Sequence, residues 1–282
     1  MNFTGNPISV QLYTLRKDCE KDFPGTLRKV ASLGFGAVEF AGLYGHSAEE
    51  IRQVLNEAKL RATGCHVGLP DLQKNFDQIQ TDYVTTLGCD YVIVPSGPRK
   101  FDDGGKTWRK FCEDMRAMTR QCREAGIKLG YHNHSFEFEN TVDGKPAYDI
   151  MFHEDPANSP VAEMDICWVA NGKHDPVNEL RRLKNRVRLL HVKDLNPGPP
   201  GRDADVGTGV IQWNAVYKAA HEAGVKWLIV ERDHPDASAF DSISNSLKYL
   251  KTSGLEYPPQ PGGATPVIVA PETTATATAK IP

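Results

Sequence analysis

The feature that most limits how this chain can fold is a pattern that recurs along it. An amphipathic helical stretch is followed by a glycine or polar break and then by a short run rich in Val and Ile, as in "KVASLGFGAVEFAG" (Lys29–Gly42) and "HEAGVKWLIVERD" (His221–Asp233). Glycine suits the left-handed position that ends a helix, and the β-branched residues after it favour a strand. Because parallel strands need a helical return between them, the alternation predicts a parallel sheet.

Eight runs are predicted to be strands, which is the number that closes a (β/α)8 barrel. They are Ile8–Tyr13, Ala37–Ala41, Ala62–Val67, Tyr91–Pro95, Lys128–His134, Val161–Ile166, Val187–Lys193 and Lys226–Arg232. Helical periodicity fits the segments between them: Pro24–Leu33, Ala48–Lys59, Leu72–Leu87, Thr107–Ala125, Asp175–Lys184, Trp213–Ala223 and Phe240–Thr252. An open doubly wound sheet is the alternative, but it would carry a GxGxxG turn after an early strand, and the sequence has none.

The eight strand and helix units indicate one α/β domain, a (β/α)8 TIM barrel, over residues 1–256. Residues 257–282 are rich in Pro, Thr and Ala without periodicity, so we expect a tail that is disordered or lies on the surface. A net charge of −3 predicts no nucleic-acid partner. The N terminus resembles no secretory signal and no apolar run could span a membrane, so we expect a cytoplasmic protein unless a leader has been removed.

Ionisable residues stand at the C-terminal ends of most predicted strands, where barrels of this type carry their functional side chains. Glu137, Asp165, His191 and Glu231 follow the fifth to the eighth strand and should converge on one side of the barrel mouth. Three carboxylates at close quarters repel one another, and a divalent cation would remove that repulsion. This ligand set predicts one divalent metal ion, with Mn²⁺ preferred and Mg²⁺, Co²⁺ or Zn²⁺ as alternatives.

The run "YHNHSFEFE" leaves the first of these ligands open, since His132, His134 and Glu139 stand beside Glu137. Strand alternation does not determine which side chain points inward so close to the end of a strand. Each residue of the set, taken alone, is also explained by an ordinary salt bridge or a hydrogen-bonded polar position. The metal prediction therefore depends on the convergence of the whole set.

These motifs resemble the sugar phosphate isomerase/epimerase family of the xylose-isomerase-like barrel superfamily. The matching phrases run in order along the chain to about residue 255: "ISVQLYTLR", "GFGAVEFAGLYG", "GCHVGL", "YHNHSFEF", "EMDICWV", "LLHVKDL", "VGTGVIQW" and "WLIVERD". The resemblance implies a metal held by Asp165, His191 and Glu231, with the first ligand on Glu137. Many members carry a plain Glu on strand five where this chain has His-Asn-His, which leaves that first ligand in doubt.

The resemblance and the metal prediction together indicate proton transfer on a small sugar or sugar derivative. The metal would act as a Lewis acid on a carbonyl, while His134, His132 or Glu231 would move the proton. Redelivery of that proton gives epimerisation or isomerisation, which is the leading hypothesis. We expect further substrate contacts from Glu39, His66, Lys193 and Trp168, although a salt bridge or a core position explains each of them as well.

Other functions stay open at this point. The same enolate can expel a β-substituent, so the alternative is a lyase on an oxidised sugar, either a 3-keto-glycoside eliminase or an inosose-type dehydratase. A DNA-repair endonuclease on the same barrel would need more metal ligands and a basic surface. A non-catalytic role is the last alternative, and it predicts that removal of the metal changes no sugar activity. The chain is a possible homo-oligomer, and no membrane partner is expected.

Overall fold

Eight parallel strands close into a barrel in the computed structural model, which describes residues 6–198, 201–235 and 238–253. Each strand pairs with its neighbours in chain order, and the eighth pairs with the first. The strands are β1 (Ser9–Gln11), β2 (Ala37–Phe40), β3 (Arg61–His66), β4 (Tyr91–Val94), β5 (Leu129–His132), β6 (Val161–Asp165), β7 (Val187–Val192) and β8 (Trp227–Val230). The prediction of a (β/α)8 barrel is confirmed.

Helices cover the outside of the barrel. They are α1 (Arg16–Cys19), α2 (Phe23–Ser32), α3 (Ala48–Ala58), α4 (Leu69–Lys74), α5 (Phe76–Ile79), α6 (Lys106–Glu124), α7 (Phe136–Glu139), α8 (Ala147–Phe152), α9 (Ile166–Asn171), α10 (Pro176–Arg182), α11 (Trp213–Ala223) and α12 (Ala239–Thr252). A 3₁₀ turn at Leu12–Leu15 and a π-helical segment at Gln80–Thr86 complete them. Two antiparallel pairs of two-residue strands lie outside the barrel: Thr141–Val142 with Lys145–Pro146, and Asp194–Leu195 with Asp203–Ala204.

Several boundaries differ from the sequence prediction. The single helix expected over Leu72–Leu87 consists of α4, α5 and the π-helical segment, because Asn75 leaves the helical conformation at φ −120°. The fifth strand ends at His132, two residues before the predicted end, and the short helix α7 begins at Phe136. Glu137 is therefore a helical residue. The predicted tail, residues 257–282, lies outside the described residues.

The inside of the barrel has an apolar layer and, above it, a layer of charge. Ala37, Tyr91, Ile93, Leu189, Trp227 and Ile229 pack together as a buried cluster. Successive residues of a strand point to opposite faces, so the residue two positions further along lies on the same face. On β2, β6 and β7 the residues two positions beyond Ala37, Val161 and Leu189 are ionisable and buried: Glu39, Glu163 and His191. Glu231, two positions beyond Ile229, directly follows β8 and is buried as well.

The described helices include none that is long and apolar enough to cross a membrane. All six cysteines are buried free thiols.

The connection after β7 is organised by the fully buried carboxylate of Asp194. It accepts hydrogen bonds from the backbone N–H groups of Leu195, Gly207 and Ile211 and from the indole Nε1–H of Trp213, at 2.8–3.0 Å. A Cβ at Gly209 would meet an Asp194 oxygen at 2.3 Å, so this segment lies directly against the carboxylate. Asp194 therefore fixes the chain between the barrel and α11.

Asp194→Asn replaces an acceptor of four hydrogen bonds with an amide whose NH₂ group opposes N–H donors. We expect the free energy of unfolding to fall by about 1.5–3 kcal/mol, the range for hydrogen bonds to a charged group. Denaturant unfolding measures the change. The exposed Asp77→Asn is the control and should stay within about 0.5 kcal/mol of the wild type. Equal effects of the two substitutions would contradict this role for Asp194.

Candidate active site

A cavity of about 700 Å³ opens at the C-terminal end of the barrel. His66 is the last residue of β3, His132 is the last of β5, and Glu231 follows β8 directly. All three line the cavity, together with Tyr13, Arg16, Ala41, Pro95, Ser96, Arg99, His134, Ser135, Phe136, Glu139, Trp168, Asp233 and His234. The cavity thus lies where a barrel of this type carries its chemistry.

Three of the predicted metal ligands converge beside this cavity, and we call Asp165, His191 and Glu231 the mouth group. His191 Nδ1 lies 3.0 Å from Glu231 Oε2. One donor atom from each of the three, and one from His132, lie within 4.8 Å of one another. Asp165 is fully buried. These residues form a group that could hold a metal ion.

Lys193 neutralises part of the negative charge around the mouth group. Its fully buried ammonium lies 2.9 Å from Asp165 Oδ2, 2.7 Å from Glu231 Oε2 and 2.5 Å from Asp233 Oδ2, and 5.0 Å from the centre of the Trp168 ring. Burial by itself would lower the pKa of Lys193, but the three carboxylates raise it well above its usual range. Lys193, which is expected to contact substrate, lies in a buried ion cluster.

Glu137 does not join the mouth group. It lies on α7, fully buried, where the Tyr131 hydroxyl donates to its Oε1 at 2.6 Å and the His134 backbone N–H donates to its Oε2 at 2.9 Å. The strand ends early, and α7 carries the side chain away from the strand face that His132 continues. The expected convergence of Glu137 with Asp165 is therefore corrected: the structure brings His132 there, with its Nε2 at 3.9 Å from Asp165 Oδ2.

A second set of ionisable residues lies against the mouth group. His66 Nε2 is 2.8 Å from Glu163 Oε2 and 3.3 Å from Glu39 Oε2. The Glu39 oxygen also accepts from the Gln11 side-chain amide at 2.9 Å and lies 2.8 Å from His191 Nε2. Of the two residues expected to contact substrate, His66 lines the cavity, and Glu39 is joined to the mouth group through His191. Glu163 was not among the predicted site residues, although its place two residues before Asp165 in "EMD" puts both side chains on one strand face.

Two predicted residues form one wall of the cavity. The ring of His134 stacks on Trp168, with centroids 6.2 Å apart, and on Phe136, with centroids 5.9 Å apart. His134 Nδ1 and Trp168 Nε1 are buried and have no partner among the described residues. Burial, followed by the nearby His132, lowers the pKa of His134 to about 2, and burial also lowers that of His132 to about 4. Both imidazoles are therefore neutral at pH 7, and a neutral imidazole nitrogen can bind a metal.

Glu137→Gln tests the role of Glu137 through pH. Burial raises its pKa from 4.5 to about 8, so the folded protein keeps a proton that the unfolded chain releases above pH 4.5. This contribution to stability is complete below pH 4.5 and is lost as pH rises towards 8, at up to about 1.4 kcal/mol per pH unit. We expect Glu137→Gln to flatten the decline in the free energy of unfolding between pH 5 and 8, measured by denaturant unfolding in chelator.

Metal content provides the second measurement on the same variant. Glu137→Gln should bind metal as the wild type does, because its carboxylate is engaged by Tyr131 and by the His134 backbone. The exposed neighbour Glu139→Gln is the matched control and should change neither property. Loss of metal in Glu137→Gln alone would restore Glu137 as a ligand.

The sequence matches known proteins over most of its length. The profile of the xylose isomerase-like TIM barrel family matches residues 27–253. An inosose dehydratase from Geobacillus kaustophilus is 23% identical over 190 residues, which is 60% of this chain and 61% of that enzyme. This alignment thus spans less than two thirds of that relative. An inosose dehydratase from Clostridium beijerinckii is 17% identical over 82% of this chain and 90% of its own length.

Solved structures share the barrel. A sugar phosphate isomerase/epimerase from Parabacteroides distasonis superposes with a TM-score of 0.77 at 22% identity, covering 89% of this chain and 96% of that one. The IolI protein with a bound zinc atom gives a TM-score of 0.68 at 16% identity, over 86% of this chain and 96% of its own. The probable 3-DHS dehydratase AsbF of Bacillus anthracis gives a TM-score of 0.67 at 12% identity, covering 87% of this chain and 98% of that one. At these identities the likeness establishes the fold.

Proposed function

The chain belongs to the xylose isomerase-like TIM barrel family of enzymes, and on that premise we propose that it is a metal-dependent lyase acting on an oxidised sugar. The substrate would be an inosose or a 3-keto-glycoside, from which water or an aglycone is eliminated. The observation that carries this proposal is the cavity itself, because it borders the mouth group and also His134, whose Nδ1 has no partner among the described residues. The similarity to inosose dehydratases supports elimination over isomerisation.

The mouth group fits one divalent cation. Asp165, Glu231 and Asp233 are three carboxylates that share the single ammonium of Lys193, and the uncompensated charge is that of a divalent ion. Asp165, His191 and Glu231 would hold it, which leaves coordination positions for substrate as in catalytic sites with three protein ligands. Carboxylate and imidazole donors suit Mn²⁺ or Zn²⁺. Such an ion supplies Lewis acidity to a substrate carbonyl.

The proton steps fall to side chains of the cavity. His134, which lines the cavity and has no partner for its Nδ1 among the described residues, takes the proton from the carbon next to the carbonyl. The bond from the next carbon to its oxygen substituent then breaks, and the departing oxygen needs a proton. The protonated His134 can give that proton to the departing oxygen, since it lines the same cavity. Trp168 closes one wall and excludes water from the reacting atoms.

Isomerisation of a sugar phosphate is the second hypothesis, and two arginines favour it. Arg16 and Arg99 line the cavity, where they could pair with a phosphate group. The Arg99 guanidinium lies 5.3 Å from the centre of the Phe136 ring, and Arg16 lies 4.2 Å from that of Tyr13. Isomerisation needs a proton to be returned to carbon and no departing oxygen, so product analysis separates the two hypotheses.

The substrate assay compares an inosose, a 3-keto-glycoside, a free aldose and a phosphorylated ketose with the Mn²⁺-loaded and the Zn²⁺-loaded protein. We expect loss of water or release of an aglycone from one of the first two, abolished by a chelator. Glu231→Gln should lower kcat/KM at least about 100-fold, since even the outer partners of metal ligands contribute 10–100-fold. The exposed Glu57→Gln should be unchanged. Turnover of the aldose or ketose alone would replace the lyase with the isomerase.

His134→Asn tests the base. We expect kcat to fall about 10²–10⁴-fold, the usual contribution of a general base, while KM and metal content stay near those of the wild type. Steady-state kinetics and elemental analysis measure these three quantities. A higher KM with an unchanged kcat would make His134 a binding residue, and another group would then have to take the proton.

A further inference from the structure

A series of hydrogen bonds runs behind the cavity wall that carries His134. The Gly97 backbone N–H donates to the Tyr131 hydroxyl at 3.1 Å, and this hydroxyl lies 2.6 Å from Glu137 Oε1. Glu137 Oε2 accepts from the His134 backbone N–H at 2.9 Å. Tyr131 and Glu137 are fully buried, and neither is among the described residues that line the cavity. We call Gly97, Tyr131 and Glu137 the brace.

Packing fixes the outer end of the brace. The Tyr131 ring lies against Trp108 and Phe111 of α6, with centroids 6.2 Å and 5.9 Å apart. A Cβ at Gly97 would lie 2.5 Å from the Trp108 ring and 2.7 Å from the Phe111 ring, so the backbone approaches both rings as closely as only glycine allows. The Tyr131 hydroxyl therefore has a fixed position from which it holds the carboxyl group.

The inner end of the brace holds the segment of His134. Its backbone N–H is bound to Glu137, and its ring stacks on Trp168. The residue before it, Asn133, joins the same segment to β6, because its Oδ1 accepts from the Asp165 N–H at 3.0 Å and its Nδ2 donates to the Asp165 carbonyl at 3.3 Å. Backbone and ring of His134 are thus both held relative to the mouth group.

The brace is compatible with both protonation states of Glu137. The Tyr131 hydroxyl can donate to a carboxylate or accept from a carboxyl group, and in either case one oxygen of Glu137 can accept from the His134 N–H. Glu137→Gln preserves this pattern, since its NH₂ group can donate to Tyr131 while its oxygen accepts from His134. Glu137→Met has a similar length but neither polar atom, so it leaves the buried N–H without an acceptor.

From these contacts we propose that Tyr131 and Glu137 are positioning residues, which hold the His134 imidazole in place for removal of the substrate proton. The inference rests on the proposed function, in which His134 is the base. Because neither side chain lines the cavity, their effect on the reaction passes through His134. A reacting group displaced by about 1 Å can lose about 100-fold in rate. Loss of the brace should therefore lower kcat and leave KM unchanged, since no substrate contact is removed.

The ring signals of His134 test this placement without any substrate. The full chain is labelled with nitrogen-15 histidine and loaded with Zn²⁺, and its imidazole signals are recorded by NMR, where His134→Asn identifies those of His134. We expect Tyr131→Phe and Glu137→Met to shift or broaden them and Glu137→Gln to keep them. Tyr148→Phe is the matched control, because the buried Tyr148 hydroxyl has no hydrogen-bond partner among the described residues. Unchanged His134 signals in Tyr131→Phe and Glu137→Met overturn the proposal.

A double-mutant cycle separates positioning from a general loss of structure. Steady-state kinetics of the Zn²⁺-loaded protein are measured with an inosose and with a nitrophenyl 3-keto-glucoside. Tyr131→Phe should lower kcat about 10–100-fold at an unchanged KM, whereas Tyr148→Phe should keep the kcat of the wild type. Added to His134→Asn, Tyr131→Phe should lower kcat by less than about 2-fold further. An equal loss in both backgrounds contradicts the proposal, since Tyr131 would then act independently of His134.

Failure of this inference is distinguishable from failure of the proposed function. If His134→Asn lowers kcat and Tyr131→Phe does not, only the positioning role is overturned. If His134→Asn keeps the kcat of the wild type, His134 is not the base, and the positioning role is overturned with it. If the wild type converts neither substrate, the proposed function is overturned, and the ring signals alone decide whether Tyr131 and Glu137 hold the imidazole. The Glu137→Met and Glu137→Gln pair repeats each comparison at a second position.

Discussion

The charge layer inside the barrel is the constraint on which the rest of the site depends. Glu39, Glu163, Asp165 and His191 are buried in the upper part of the barrel, together with Lys193. A charged group away from water is tolerated only when it is paired, hydrogen-bonded or bound to metal. The Lys193 ammonium and the imidazoles provide part of that compensation. The same unbalanced negative charge that would destabilise a purely structural barrel makes this one suited to cations.

The apolar layer below the charge layer keeps water away from the buried charges. The cluster that includes Ile93, Leu189 and Trp227 fills the barrel interior and denies water a way in from that side. Buried charges then interact at low effective dielectric, so burial shifts pKa values strongly and in opposite directions. The pKa of Glu137 rises to about 8, whereas that of His132 falls to about 4. Glu137 is consequently neutral below about pH 8, and His132 is neutral above about pH 4. The neutral imidazole of His132 can act as a metal ligand.

Much of the fold could be predicted from the sequence because it depends on periodicity. The eight apolar runs, separated by helical stretches, required only the alternation of strand and helix and the preference of helix ends for glycine. The convergence of Asp165, His191 and Glu231 was predicted from their position at the C-terminal ends of neighbouring strands. Short elements were missed. Helix α7 has four residues, too few for a periodic signal, and it is this helix that moves Glu137 to Tyr131.

By itself, the sequence determined the closed barrel and the mouth group, because both follow from residue order along strands. Only the tertiary structure decided which neighbours complete the site. His66, Glu39 and Glu163 meet because strands far apart in sequence are brought together by closure of the barrel, and Glu39 and His191 are 152 positions apart. The ion cluster around Lys193 arises in the same way. Contacts of this kind depend on side-chain direction at the strand ends, and no local pattern encodes that direction.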